Sequence, residues 1–453
     1  MTKRAAIILA AGQGTRMKSA IPKVMHPVGG RAMVDWSVAL AEGSGCERII
    51  VVCSPSQAQL QAHVTESLGP DSVAIQETPL GTGHAVQAAE THLAGFDGAL
   101  VVLYGDTPLI PPDAIEALFA RLEDGAGVGV LGFEADDPGA YGRLITHGHG
   151  EVEAIVEARD ASPEQLAIRL CNSGVMAARA DEMFSLLSRV TNDNAKGEYY
   201  LTDIVALARA DGRHCLAVEC AEADVLGVNS RLELAQAEAA FQARRRRELL
   251  TEGVTLTAPE SVFLSHDTEI ANDVLVEPHV VFAPGVRVES GAVIRAFSHL
   301  EGAHVSAGAV IGPYARLRPG AEIGRQARVG NFVEVKSTRM GAGAKANHLA
   351  YLGDGEVGAG ANIGAGTIFC NYDGYRKHRT EIGENAFIGS NSALVAPVSI
   401  GAGAYIGSGS VITQTVPGDA LGVARGRQVI REGWSVSYRE RMRAAKEETG
   451  DGQ

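Results

Sequence analysis

Aromatic side chains are scarce in this sequence: they make up 5% of 453 residues, with only two tryptophans. A core of stacked rings is thereby excluded, so small aliphatic residues must fill whatever interior the chain encloses. Cysteine contributes little framework. Cys46, Cys53, Cys171, Cys215, Cys220 and Cys370 form no Cys-x-x-Cys pair, which removes the common zinc and dithiol spacings. These six are expected to be buried or idle thiols in a reducing compartment. No stretch reaches the ~18 apolar residues that a membrane span needs. Positive charge is also in deficit, with 40 Lys and Arg against 54 Asp and Glu and a formal charge of −14. That balance excludes a general affinity for nucleic acid or anionic membrane, so any phosphate must be met by local cations and backbone amides. The opening MTKRAAIILAAG sets basic residues before an apolar run, as a secretory leader does. Here the run is short and passes straight into Gly12-Gln13-Gly14-Thr15-Arg16, so it is read as a buried first strand of a cytoplasmic protein.

What the chain has in excess is glycine, 54 residues, most of the surplus beyond residue 280. At roughly 150 residues per domain, the length suggests two or three domains, and the glycine asymmetry suggests two differently built halves. Up to about residue 228, continuous apolar runs (Ala5–Ala10, Ile49–Cys53, Ala99–Tyr104, Val128–Phe133) alternate with stretches of helical spacing (Met33–Glu42, Ser56–Ser67, Gly83–His92, Pro112–Glu123). Continuous runs are the mark of strands buried on both faces, and the alternation predicts an α/β sheet covered by helices. Ser230-Arg-Leu-Glu233 reads as a capping box that opens a linking helix to about Thr251. Its arginines, Arg244 to Arg247, are expected on a solvated face.

From residue 270 a period of six takes over. Large apolar residues recur at Ile270, Val276, Phe282, Val288, Ile294 and Leu300. After a one-residue slip they continue at Val305, Ile311, Leu317, Ile323, Val329 and Val335, and a third run holds Ile382, Ile388, Leu394, Ile400, Ile406 and Ile412. Six is neither a helical nor a hairpin period. It predicts a parallel β-helix whose short strands each send one aliphatic side chain inward, with small residues at the corners. The ladder is expected to be interrupted in its middle and again at Asn371–Arg379, a polar, aromatic and basic segment that reads as a functional loop. The charged tail from Glu432 to Gln453 is expected to lack order.

The first strand ends in LAAGQGTRMKSAIPK, Leu9 to Lys23. Glycines after a buried strand let backbone approach a phosphate, but neither a dinucleotide fingerprint nor a P-loop fits this spacing. The pattern LAAGxGTRMxSxxPK resembles the sugar-nucleotide pyrophosphorylases, in which such a loop wraps the nucleotide and the Arg and Lys contact its phosphates. Attack of one phosphate on another brings two anions together, so cations are needed at the transition state, here Arg16 and Lys23. Asp106, at the end of the apolar run Ala99–Leu103, lies where open α/β sheets bind ligands and suits Mg²⁺.

Further blocks, from Gln76 to Gly227-Val-Asn229, follow in an order and spacing that resemble the bifunctional family N-acetylglucosamine-1-phosphate uridylyltransferase/glucosamine-1-phosphate N-acetyltransferase (GlmU) over about residues 5 to 430. The resemblance implies an α/β Rossmann-like nucleotidyltransferase domain over 1–231, a linker helix over 232–252, and a hexapeptide-repeat left-handed parallel β-helix with acetyltransferase activity over 253–453. It implies a UTP and sugar-nucleotide site built from Leu9, Ala10, Ala11, Gly12, Lys23, Tyr104, Gly105 and Asp106. Gln76, Gly81 and Thr82 would read the uracil, Gly142, Glu157 and Asn172 would hold the N-acetylglucosamine, and Asn229 would join Asp106 on Mg²⁺. One departure is Met25, where the family usually has Leu, a volume-conserving swap.

In the second half, blocks around Arg316–Gly320, Gly330–Lys336, Lys345–Asp354 and Asn362–Thr367 carry charge, histidine and aromatics. A lone histidine is more often structural, but within KxxHLxYLGD the resemblance makes His348 the general base for acyl transfer from acetyl-CoA to an amine, a task its ordinary pKa suits. Arg318 and Lys336 would bind the sugar phosphate, with Tyr351 and Asn362 placing the sugar. Ala365, Asn371, Tyr372, Ser390, Ser408 and Arg425 would contact acetyl-CoA, and Cys370 is read as a buried thiol. The family forms homotrimers with active sites between neighbouring prisms. Two other readings stand beside this one. A single-activity pyrophosphorylase would consume no acetyl-CoA and leave His348 idle, and a regulatory subunit would show degraded site motifs.

Overall fold

The computed structural model describes residues 2–148, 150–194 and 196–448. The chain divides into two compact units, Met1–Thr251 with Phe263–Thr268, and Glu252–Val262 with Glu269–Gln453.

The first unit is built on a nine-stranded sheet. Its order is Val73–Ile75, Arg48–Cys53, Arg4–Leu9, Ala99–Tyr104, Leu170–Arg179, Val128–Glu134, Cys215–Cys220, Glu151–Val156, Arg143–His147. The apolar runs at Ala5, Ile49, Ala99 and Val128 are indeed interior strands, and Arg4–Leu9 lies in parallel between Arg48–Cys53 and Ala99–Tyr104. Helices cover both faces, so residues of alternate parity enter separate cores: Ile7 and Val102 on one side, Ile8 and Leu103 on the other. The strand Leu170–Arg179 was not among the apolar runs read from the sequence. It runs antiparallel to both neighbours, and its register breaks between Asn172 and Met176, which disguises the period. The Gly83–His92 stretch is a shorter helix, Thr82–Gln87, followed by a 3₁₀ turn at Glu90–Leu93.

The helix after Ser230 spans Arg231–Thr251. Its cap differs from the expected box in one useful way. Ser230 Oγ accepts from the Glu233 amide at 3.3 Å, but the Glu233 carboxylate reaches one residue further back and accepts from the Asn229 amide at 2.6 Å. Its arginines do not simply face water. Arg244 donates to Leu109 O and to Asp224, and Arg245 donates to Thr268 O, while Arg246 lies over the Phe263 ring. Fixed carbonyls and a carboxylate within reach outcompete water for these guanidinium groups.

The second unit is a solenoid of three strand rows, each strand pairing in parallel with its counterpart one coil later. In the first row Val276, Ile294, Ile311, Val329, Ala346, Ile363, Ile388 and Ile406 stack in register. All are buried, each valine and isoleucine side chain worth about 1.5–3 kcal/mol relative to exposure. The expected interruption of this ladder does not occur. Met340, Ala346, Leu352, Val357, Ile363 and Phe369 carry it through the middle, all buried. Two steps of five residues, from Val335 to Met340 and from Leu352 to Val357, hide the period from a fixed six-residue register. The one insertion, Asn371–Arg379, is folded on itself: Asp373 accepts from the Tyr375 and Arg376 amides and from the His378 ring.

The tail was expected to lack order. Instead Trp434–Glu448 is helical, with Trp434 and Tyr438 rings stacked at 5.0 Å. Spacing of i, i+4 sets those rings on one face and offsets the charge around them. Residues 449–453 lie outside the described residues.

Candidate active sites

Strand Arg4–Leu9 delivers the glycine-rich loop to the sheet's edge, and Gly105 follows from the next strand, its amide bonded to Leu9 O at 3.0 Å. Leu9, Ala10, Ala11, Gly12, Lys23, Gln76, Gly81, Thr82, Tyr104 and Asp106 line a single cleft of about 320 Å³. That is the volume of a small-molecule site. Gln13, Pro79 and Glu198 also line it, without having been singled out in the sequence. The segment Glu198–Leu201 is held against the loop after Pro79. Tyr199 N donates to Leu80 O, Gly83 N to Tyr199 O, and Leu201 N to Thr82 Oγ1, all within 2.8–3.0 Å. Gly81, at φ 110°, permits this closeness, since a Cβ there would meet Tyr199 O at 2.6 Å.

At one end of the cleft three remote segments converge. The Lys23 ammonium touches the Asp106 carboxylate and lies 2.9 Å from Asn229 Oδ1. Val228 N bonds to Asp106 O and Glu233 holds the Asn229 amide, so the long helix's first turn positions Asn229. The donor set fits magnesium. Both oxygens already hold one cation between them, and a carboxylate plus an amide oxygen leaves coordination for phosphates and water. Among the described residues no cluster of three or more His, Cys, Asp and Glu forms an all-protein cage. Arg16 does not join this group; it stands exposed on the 3₁₀ turn Thr15–Met17.

Gly142, Glu157 and Asn172 form a second group. Asn172 N bonds to Gly142 O at 2.8 Å, and a Cβ on Gly142 would lie 3.6 Å from Glu157 Oε1. Tyr104 connects it to the cleft. Burial, then the Asp106 and Glu157 charges, push its phenol up, while a bond to Thr82 opposes them. Glu157 itself is held above the usual carboxylate range by burial first, with Lys196 opposing and Asp160 and Asp203 adding to the rise. An unfolded glutamate ionises near pH ~4.3. Above that point the folded chain binds more protons than the unfolded one, so stability falls as pH rises through the window up to the folded value. Glu157→Gln is therefore expected to raise the first unit's melting temperature at pH 7–8 and to leave it unchanged near pH 4. Melting curves across that range check it, and an equal shift at both ends would refute the assignment.

In the second unit His348 is exposed at the end of the strand Lys345–His348. Its Nδ1 lies 2.6 Å from Asn331 Oδ1, one coil earlier and in strand register. A carboxamide oxygen can only accept, so Nδ1 carries a proton, and in the neutral ring Nε2 is then the nitrogen with the lone pair. Asn331 was not singled out in the sequence; its neighbour Gly330, where a Cβ would meet Asn347 O at 1.9 Å, was the available signal. Ala365, Ser390 and Ser408 follow successive strands of the same row, and Arg425 donates to Ser408 O at 2.8 Å. Asn362 lies within that row.

Arg318 and Asn371 stand elsewhere, just after strands of the second row, and Lys336 lies within the strand Glu334–Met340 of that row. Asp354, also missed, organises them: it accepts from Lys336 Nζ at 3.3 Å and from Asn371 Nδ2 at 2.5 Å. Asn371 Nδ2 is also 3.4 Å from the Tyr351 hydroxyl, and Arg318 donates to Glu334 at 2.9 Å. Tyr372 is exposed, with Lys377 4.3 Å over its ring. The predicted residues thus fall into two groups, one with the first strand row and one with the second. Burial raises the Cys46, Cys53 and Cys220 thiols to about 12 and Cys215 to about 11. Cys370 is only partly buried.

A glycine-rich loop, a lysine and two cation-facing oxygens at a sheet edge define a nucleotidyltransferase, and the six-residue repeats define a hexapeptide-repeat transferase. The MobA-like NTP transferase domain matches residues 6–248, and the bacterial transferase hexapeptide (six repeats) matches residues 379–414. The relatives of this chain include proteins named bifunctional protein GlmU. That of Hyphomonas neptunium is 64% identical over 98% of this chain and 96% of its own length. Those of Azorhizobium caulinodans and Sphingopyxis alaskensis are 55% and 54% identical, each covering at least 96% of both chains. The chain belongs to the bifunctional GlmU family, with an α/β Rossmann-like nucleotidyltransferase domain followed by a left-handed parallel β-helix.

Proposed function

We propose that residues 1–231 transfer uridylyl from UTP to N-acetylglucosamine-1-phosphate, releasing pyrophosphate, and that residues 253–453 transfer acetyl from acetyl-CoA to glucosamine-1-phosphate, with 232–252 linking them. The observation that carries this reading is the presence of two separate constellations: Lys23–Asp106–Asn229 in the cleft, and His348 turned by Asn331 on the solenoid. In the first, the sugar phosphate oxygen bonds to the α-phosphorus of UTP as the bond to pyrophosphate breaks. Lys23 faces the charge that gathers there, and Arg16, exposed beside the loop, can reach the outer phosphates. Asp106 and Asn229 would hold Mg²⁺, which would supply further neutralisation of phosphate charge. Gln76, Gly81 and Thr82 read the uracil edge, and Gly142, Glu157 and Asn172 hold the sugar. In the second, the amine nitrogen bonds to the thioester carbon, His348 Nε2 accepts the amine proton, and CoA leaves as the thiolate. Arg318 and Lys336 hold the sugar phosphate, Tyr351 and Asn362 the ring, and Ala365, Asn371, Tyr372, Ser390, Ser408 and Arg425 the acetyl-CoA.

One assay with two readouts tests this. Given glucosamine-1-phosphate, acetyl-CoA and UTP, the protein releases both CoA and pyrophosphate. Without acetyl-CoA, pyrophosphate appears only if N-acetylglucosamine-1-phosphate is supplied. Pyrophosphate release from glucosamine-1-phosphate at an undiminished rate without acetyl-CoA would refute the sequence of steps.

The working enzyme is a cytoplasmic homotrimer in this reading. No described helix is long and apolar enough to cross a membrane. Two features support self-association. The His348 group belongs to the first strand row and the Arg318–Lys336 group to the second, so a neighbouring copy is needed to bring them to one substrate. Along the His348 corner, His279, Phe297, Tyr314 and Phe332 stack at 4.9–5.2 Å on successive coils, exposed and at φ 56–60°, and the exposed Leu349 continues the row. Bulky residues in the left-handed region cost about 1–2 kcal/mol each, a cost that contact with another chain offsets. Sedimentation of the intact chain is expected to give the mass of three copies. Phe332→Asp lowers it and reduces CoA release more than pyrophosphate release; an unchanged mass would remove the ladder from the interface.

A further inference from the structure

We infer that Lys23 is the resident counter-ion of the cleft: with no nucleotide bound, its ammonium holds the place between Asp106 and Asn229, and a divalent cation settles there only once phosphate oxygens draw the lysine away. The inference rests on the reading of Asp106 and Asn229 as metal ligands.

The geometry carries it. The ammonium meets Asp106 Oδ2 and Asn229 Oδ1 together, so two oxygens remote from each other in sequence are aimed at one positive centre. The Lys23 and Asp106 side chains are 11% and 16% exposed, so water does little of the neutralising. A carboxylate this enclosed is costly without a partner, and the lysine supplies one. The lysine is also pinned at its root. It opens the 3₁₀ turn Lys23–Met25 directly after Pro22, and Gly14 lies so close that a Cβ there would fall 2.6 Å from the Lys23 Cβ. Its far end has free torsions that can carry Nζ from Asp106 toward the glycine loop, while its base stays fixed. An ammonium and a divalent cation cannot both contact the same two oxygens without strong like-charge repulsion. The lysine thus keeps the oxygens aligned and makes metal entry conditional on phosphate, the only incoming group that gives the ammonium another anion.

The probe is Mn²⁺ titrated calorimetrically into the full-length, nucleotide-free protein. Lys23→Met is expected to bind Mn²⁺ at least tenfold more tightly than the wild type, and Lys23→Gln to behave alike. Lys23→Arg, which keeps the charge, is expected to stay weak. Adding Asp106→Asn to Lys23→Met abolishes the gain. Thermal melting gives an independent readout: Lys23→Met loses stability in the first unit and regains it with Mn²⁺, whereas the wild type responds little. Equal Mn²⁺ affinities for wild type and Lys23→Met, both sensitive to Asp106→Asn, would overturn the counter-ion role and leave the metal site standing. Binding to Lys23→Met that ignores Asp106→Asn would overturn the metal-ligand reading itself.

Discussion

Asp106→Ala is expected to reduce pyrophosphate release about 10³-fold, in line with the loss of a principal charge stabiliser at a transition state, while CoA release from the same preparation stays at the wild-type rate. The carboxylate is one of two oxygens facing the cation position, and it is the charged one. Removing it leaves Asn229 alone, an amide oxygen that cannot retain a divalent cation against water. It also frees Lys23 from its ion pair. Part of the lost charge balance is thereby recovered, because a freed ammonium can turn to the phosphates. The effect should therefore fall chiefly on kcat, with UTP affinity reduced much less. The second unit forms its own aliphatic ladder, so truncating a partly buried side chain in the first unit has no route to His348. A comparable loss of CoA release in the folded variant would show that the activities are not divided as proposed.

Much of this architecture was legible because its periods are strict. The solenoid follows from residues such as Ile311 and Ile388, where one large side chain every six positions has no helical or hairpin reading. Its continuity through Met340 and Val357 was hidden, since a corner one residue shorter shifts the register without disturbing the stack. In the first unit, strands buried on both faces announced themselves as unbroken apolar runs, whereas Leu170–Arg179 is interrupted by Asn172 and Gly174 and changes register there. The site divides similarly. Lys23, Asp106 and Asn229 could be named from the resemblance, but that the lysine would sit on the Asp106 and Asn229 oxygens depends on side-chain torsions no motif encodes. Asn331 and Asp354 escaped because their roles are relations between coils, seventeen or so residues apart, and polar residues at solenoid corners are commonplace. Arg16 is the converse case, a motif residue that stands exposed and is not among those lining the cleft.

His348→Ala is expected to lower CoA release about 10²–10⁴-fold, the range for loss of a general base, with pyrophosphate release from N-acetylglucosamine-1-phosphate untouched. The imidazole is exposed, its Nδ1 proton is committed to Asn331, and Nε2 is the acceptor left for the amine. Truncation removes that acceptor but neither Lys336 nor Arg318, so KM for the sugar phosphate should move little while kcat falls. Asn331 acts through the histidine and is a positioning residue. Asn331→Ala frees the ring to rotate and to exchange tautomers, which puts the proton on Nε2 in part of the population. Its loss of kcat is expected to be smaller than that of His348→Ala and to be recovered by Asn331→Asp, whose carboxylate also accepts from Nδ1–H and favours a more basic ring. The acid limb of the kcat/KM profile should then shift upward in Asn331→Asp, because a carboxylate beside imidazole stabilises the charged form. A purely structural asparagine would give no such shift. An Asn331→Asp profile superimposable on the wild type, with Asn331→Ala equally active, would mean that the 2.6 Å contact does not govern the base.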